Sequence, residues 1–193
     1  MEKFIPYLSS IHPLKPREWA AVRDLFQPHS LPKDAYFADV GELSQRIALL
    51  EEGLMRAYYQ APNGQQYNKT LFAPPCFVGA LSSLTSGKPN KIYLQTLTPC
   101  ELWVADYPEL VELFDEHPGL ERLARRMAEM VFIEKEEREI ALVLNNATER
   151  YLQFLEEFGD HAQRIPLYHI ASYLGVTPTQ LSRIRAALAK GER

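Results

Sequence analysis

Cysteine is scarce: Cys76 and Cys100 are the two in 193 residues. Two thiols cannot build a disulfide framework or an all-cysteine iron–sulfur site, and they read as ordinary buried thiols. Long apolar runs are missing as well; none approaches the ~20 residues that a membrane helix needs. The opening Met-Glu-Lys-Phe-Ile-Pro has neither the apolar stretch nor the small-residue cleavage site of a signal peptide. The expectation is a cytoplasmic protein with no membrane partner. Histidine is sparse and scattered over His12, His29, His117, His161 and His169, with none between residues 36 and 105. That stretch is rich in strand signals, and metal-dependent oxygenases built on β jelly rolls need histidines and a carboxylate converging from their strands. Paired-histidine spacings and nucleophile motifs are lacking too. The chain is expected not to be an enzyme, and to hold no metal and no cofactor.

What is present is a globular composition, 46% hydrophobic and 24% charged, enough to bury a core. The net charge of −4 weighs against nucleic acid, but its distribution does not. Residues 161–193 hold five basic residues (Arg164, Arg183, Arg185, Lys190, Arg193) against Glu192, a local +4 that leaves −8 on residues 1–160. A basic end on an acidic body is a local footprint for phosphates.

Pro16–Gln27 reads as a helix, with proline in the first turn and an apolar stripe of Trp19, Val22, Leu25 and Phe26. From about Tyr36 short strand-like runs alternate with turn signals. Arg46–Glu51 and Leu54–Gln60 flank Glu52-Gly53, which predicts a hairpin. Pro62-Asn63-Gly64 predicts a turn before a strand at Gln65–Phe72, and Lys91–Thr98 and Glu101–Ala105 read as further strands. Short strands at this spacing predict a sandwich or barrel, with a jelly roll as the leading form. After Pro108 the pattern is helical: Glu109–Glu116, then Gly119–Asn145 without proline or internal glycine, then Thr148–Phe158 with Thr148 as a cap. In the long helix Leu120, Leu123, Met127 and Met130 follow a 3-4 spacing. They predict a homodimer seam; the alternative is a helix packed only on its own sheet.

Residues 167–186 satisfy the grammar of a helix-turn-helix. Ala171 is small where two helices cross, and Gly175 follows where the turn needs positive φ. Ile170, Leu174, Val176, Leu181 and Ile184 supply the shared apolar core. Thr177-Pro178 gives a cap and then proline at the first helical position. The candidate DNA-binding residues are Thr177, Thr179, Gln180, Ser182, Arg183, Arg185 and Lys190, whose side chains suit phosphate oxygens or base edges.

Here the chain resembles the Crp/Fnr family of transcription regulators, the relatives of the cyclic-AMP receptor protein. The resemblance is carried by Ala147-Thr-Glu-Arg-Tyr-Leu-Gln-Phe-Leu and by Arg164–Ile184. More loosely it is carried by Tyr36-Phe37 with Gly41-Glu42, and by Ala48–Tyr59. It implies an α+β chain in three parts: a cyclic-nucleotide-binding-like sensor jelly roll over residues 1–118, a dimerisation helix over 119–145, and a helix-turn-helix DNA-binding domain over 146–193. It also implies a homodimer on an inverted-repeat site in double-stranded DNA, RNA polymerase as a further partner, and a small-molecule effector.

Two departures bear on that effector and on the DNA module. In nucleotide-binding members a Gly-Glu pair and an arginine hold the ribose and the cyclic phosphate. Here Gly79 is followed by Ala80, and Asn90 or Lys91 stands where the arginine belongs. Lysine meets a phosphate as a point charge and not as a bidentate fork, so an effector other than cyclic AMP is expected. Its candidate pocket is Gly79, Leu81, Ser82, Ser83, Asn90, Lys91 and Tyr93. Family members also continue into a β-hairpin wing, whereas only Lys190-Gly-Glu-Arg follows the recognition helix, a module either wingless or cut short. The alternative function is a dimeric sensor or scaffold that has lost DNA binding.

Overall fold

Alternating burial along the strands decides the architecture. In the computed structural model, which describes residues 1–191, eight strands form two antiparallel sheets. The strands are β1 (Gln27–Leu31), β2 (Tyr36–Ala38), β3 (Arg46–Glu52), β4 (Met55–Gln60), β5 (Gln66–Phe72), β6 (Cys76–Val78), β7 (Tyr93–Thr96) and β8 (Cys100–Asp106). One sheet has the order β1-β8-β3-β6 and the other β2-β7-β4-β5. Ala48, Leu50, Val78 and Leu102 from the first meet Phe37, Met55, Ala57 and Leu94 from the second, and this buried layer is the centre of a sandwich. A short helix α3 (Leu81–Ser86) lies between β6 and β7.

Helices cover the first sheet from outside. They are α1 (Ile5–Ile11), α2 (Pro16–Leu25), α4 (Tyr107–Glu116) and the start of α5 (Pro118–Leu144). Phe4, Leu8, Val22, Phe26, Leu120 and Leu123 pack there against Leu49 and Ala105. Buried Glu18 ties the layer together by accepting from the backbone N–H of Lys15 (2.7 Å) and of Gly119 (3.1 Å). A third core joins α6 (Ala147–Phe158), α7 (Leu167–Leu174) and α8 (Pro178–Ala189) to Leu54, Leu71 and Leu97 of the sandwich. Among the described residues, no helix is long and apolar enough to cross a membrane.

Several expectations need correction. The helix from Pro16 ends at Leu25, and Gln27 already belongs to β1. That strand, Gln-Pro-His-Ser-Leu, is an edge strand with exposed residues and no apolar alternation to betray it. Glu52-Gly53 is not a hairpin turn, because β3 and β4 lie in different sheets. Gly53 carries the chain across at φ 97°, and a Cβ there would collide with Pro99 and Cys100. The true hairpin is β4–β5, turning at Pro62-Asn63-Gly64. The cap of α6 is Asn146 and not Thr148: its side chain accepts from the N–H of Thr148 and Glu149, and Glu149 returns a bond to the Asn146 N–H.

Candidate nucleic-acid interface and effector cleft

The segment 167–189 folds as two helices around one tight turn. Gly175 takes the left-handed conformation at φ 70°, ψ 33° that the turn requires. Ala171 is fully buried at the crossing, and Ile170, Leu174 and Leu181 are buried with it, with Val176 and Ile184 packed alongside. The Thr177 hydroxyl accepts from the Gln180 N–H at 3.1 Å and so caps α8, with Pro178 at its first position. Burying that apolar stripe fixes which side of α8 is left outside. Thr177, Thr179, Gln180, Ser182, Arg183, Arg185 and Lys190 are all exposed. Among the described residues no carboxylate pairs with Arg183, Arg185 or Lys190. Glu192 and Arg193, the end of the basic stretch, lie outside the described residues.

A broad cleft of about 1960 Å³ runs along α5, lined by the sandwich, by α1, α2 and α4 towards one end and by α6 and α7 towards the other. Gly79, Leu81, Ser82, Ser83, Asn90 and Lys91 line it, but Tyr93 does not. Tyr93 projects from the outer face of its sheet and stacks on Tyr58 with ring centroids 4.9 Å apart. Ser83 and Asn90 are buried and already engaged. The Ser83 hydroxyl donates to the Lys88 carbonyl (2.6 Å) and accepts from the Ser44 N–H (3.2 Å). The Asn90 amide donates to the carbonyls of Asp39 (3.1 Å) and Ile92 (2.6 Å) and accepts from the Ile92 N–H (3.2 Å). Ala80 is buried in the sandwich core. The remaining chemistry of the cleft was not apparent from local sequence. Lys69 on β5 and Lys135 on α5 both line it, and burial lowers the pKa of each. Lys135 donates to the Thr70 hydroxyl at 3.0 Å. Burial also raises the Glu157 carboxyl, with Glu134 adding to the effect.

Burial pushes the Cys76 thiol up to about 12 and raises that of Cys100, so neither is poised as a thiolate. Among the described residues no cluster of His, Cys, Asp and Glu could hold a metal ion.

The expected dimer seam is split by its surroundings. Leu120 and Leu123 are 2% and 5% exposed in the chain's own core, and Met127 packs at the edge of that core. Only Met130 of the four stands exposed. Beyond it α5 presents apolar side chains that sequence reasoning missed: Phe132 at 67% exposure, Ile133, Ile140, and Val143 at 77%. The acidic residues interleaved there, Glu134, Glu136, Glu137 and Glu139, obscure the apolar pattern.

Residues 28–117 match the cyclic nucleotide-binding domain family. No match is found among curated proteins. Similar solved structures span nearly the whole chain. The c-di-GMP-responsive global regulator CLP of Xanthomonas campestris aligns at TM-score 0.71 and 15% identity, over 92% of this chain and 93% of its own. FixK2 of Bradyrhizobium japonicum aligns at TM-score 0.77 and 18% identity, over 86% of each chain. A protein assigned to the Crp/Fnr regulators from Eubacterium rectale aligns at TM-score 0.68 and 12% identity, over 92% of this chain and 85% of its own. Residues 28–117 thus resemble a cyclic nucleotide-binding domain, and the fold of the chain is similar to that of the regulators just named.

Proposed function

We propose that the chain is a sequence-specific DNA-binding transcription regulator, acts as a homodimer, and answers to a small-molecule effector other than cyclic AMP. One observation carries the reading. A fully packed, correctly capped helix-turn-helix leaves the polar face of α8 exposed, with Arg183 and Arg185 free of carboxylate partners among the described residues. The N-terminal turns of such a helix enter the major groove first, so Thr179, Gln180 and Arg183 meet base edges while Arg185 and Lys190 meet phosphates. Selection of binding sites from random duplex, with wild type and Arg183→Ala side by side, tests this. An inverted repeat with half-sites about one helical turn apart is expected, and base preference should relax at one position of each half-site in the variant. A selected motif unchanged by Arg183→Ala would refute this docking. No retained DNA at all would leave the sensor or scaffold reading.

Dimerisation is assigned to the C-terminal half of α5, where Phe132, Ile133, Ile140 and Val143 are exposed, an apolar stripe that a lone chain would leave in water. Glutamate at both Phe132 and Val143 should shift the protein to monomer in analytical ultracentrifugation. A dimer mass that survives both substitutions would rule out this seam. The effector is assigned to the cleft beside α5. The reading that the effector is not cyclic AMP is supported by Ala80, a buried methyl where the resemblance puts a glutamate, and by Asn90, whose amide is spent on backbone.

A further inference from the structure

We infer that the direction in which the DNA-reading helix points is set by a buried latch, Arg56 and Asn68 of the sandwich closing on His169 of α7, which makes these three positioning residues for DNA recognition. The inference rests on the DNA-binding reading above, but the latch can be tested without DNA.

Arg56 is unusual for a buried cation. It is 6% exposed, and every acceptor that it meets is neutral. Its Nε and Nη2 donate to Gln95 Oε1 (2.9 and 2.6 Å), and Nη2 also donates to Gln66 Oε1 (2.8 Å). Its Nη1 donates to Asn68 Oδ1 and lies 3.3 Å from His169 Nδ1. The guanidinium also lies over the Tyr58 ring, 3.9 Å from its centroid. Such a group is costly to bury, and it is held only while each acceptor stays in place.

The last acceptor comes from the other unit. His169 Nδ1 faces two N–H groups, Arg56 Nη1 and Asn68 Nδ2 at 3.2 Å. An arginine and an amide NH₂ can only donate, so Nδ1 accepts, and the ring is neutral with its proton on Nε2. Asn68 then reaches further along α7: its side chain donates to the His169 carbonyl (2.9 Å) and its backbone N–H to the Ser172 hydroxyl (2.9 Å). From α5, Arg138 donates to the Tyr173 carbonyl at 2.8 Å. α7 is thereby held at three residues, His169, Ser172 and Tyr173. Because α7 and α8 share one core, the angle of α8 to the sandwich follows from that attachment.

A second proton on His169 would remove the acceptor and set a cation against Arg56. The groups acting on the ring are Arg56 on β4 and Asp34 in the turn before β2, with Tyr168 of α7 packed beside it at 4.1 Å between centroids, while Tyr58 and Tyr36 act on Arg56. Burial, then Arg56, lowers the docked His169 to about 4, with Asp34 opposing weakly. The undocked ring would keep the ordinary value of about 6.5. Undocked chains therefore bind the extra proton first as pH falls. Docking is fully present above pH about 6.5 and weakens by up to tenfold per pH unit between there and about 4.

The experiment is small-angle scattering of the full chain at pH 7.5 and 5.0, with limited proteolysis at residues 145–147, on wild type, Arg56→Met and His169→Gln. Wild type should be compact and resistant at pH 7.5, then cleaved up to about thirtyfold faster, with a measurable expansion, at pH 5.0. Arg56→Met should be expanded at both values. His169→Gln keeps a neutral acceptor, so it should stay compact at both. Should Arg56→Met fail to fold, Asn68→Ala removes the inter-unit bonds more mildly and should show the same expansion. Identical profiles for wild type at the two pH values, or a compact Arg56→Met or Asn68→Ala, would overturn the latch whether or not the protein binds DNA. On DNA, an opened variant should select the same half-site sequence with a looser spacing, whereas Arg183→Ala should alter the sequence and leave the scattering unchanged. A fixed spacing in the opened variant would also count against the inference.

Discussion

The segment 177–190 and the segment 79–91 are both short, polar and singled out by their sequences, yet their side chains lead opposite lives. On α8 the hydroxyls, amide and guanidinium groups stand out in solvent, and the helix spends only Thr177 on its own cap. Around α3 the two buried polar residues spend their side chains on neighbouring backbone. A polar side chain recognises a ligand only if it has hydrogen-bonding capacity left after folding. By that criterion α8 keeps a polar surface free to meet a ligand, and Ser83 and Asn90 are framework.

The contrast can be broken by exchanging its terms. The largest effect is expected for Arg183→Ala, which should cost about 1–3 kcal/mol of specific DNA affinity while changing unfolding stability by less than about 0.5 kcal/mol. Binding isotherms beside urea melts measure both, and a loss of stability with unchanged affinity would reverse the assignment. Asn90→Ala should do the converse. It leaves the carbonyls of Asp39 and Ile92 and the Ile92 N–H without their partner, at a cost of about 1–3 kcal/mol of stability, with DNA affinity intact. The smallest effect should come from cyclic AMP added to wild type. Calorimetry should detect no binding tighter than about millimolar, a scale worth ~4 kcal/mol, and micromolar binding would show that the region around α3 recognises a nucleotide after all.

How much could be read in advance follows from the range of the forces involved. The pair α7 and α8 is local: a cap, a proline, a left-handed glycine and an apolar stripe all fall within about two dozen residues, so the sequence displays each of them. The long helix was legible as a helix, but not in its partners. Its first apolar residues, Leu120 and Leu123, satisfy themselves inside the chain, and the 3-4 spacing is the same whether the covering surface belongs to the same chain or another. Glu52-Gly53 looked like a hairpin because glycine permits a tight turn. The next strand instead crosses to the other sheet, and Gly53 is needed there because Pro99 and Cys100, far along the chain, leave no room for a Cβ. The latch was least visible of all. Arg56 and His169 are 113 positions apart, and nothing local distinguishes an arginine that will be buried from one that will not, although its place between Met55 and Ala57 in an apolar strand was a faint sign.

The attachment of α7 to β5 has a second effect. β5 is an outer strand of its sheet, and Ser172 and Arg138 occupy the N–H and C=O of Asn68 on its open side. An open strand side is a template on which a foreign chain can add itself. α7, with Arg138 of α5, is therefore also a hem, stitching this point of the sheet's edge so that it does not fray into its neighbours.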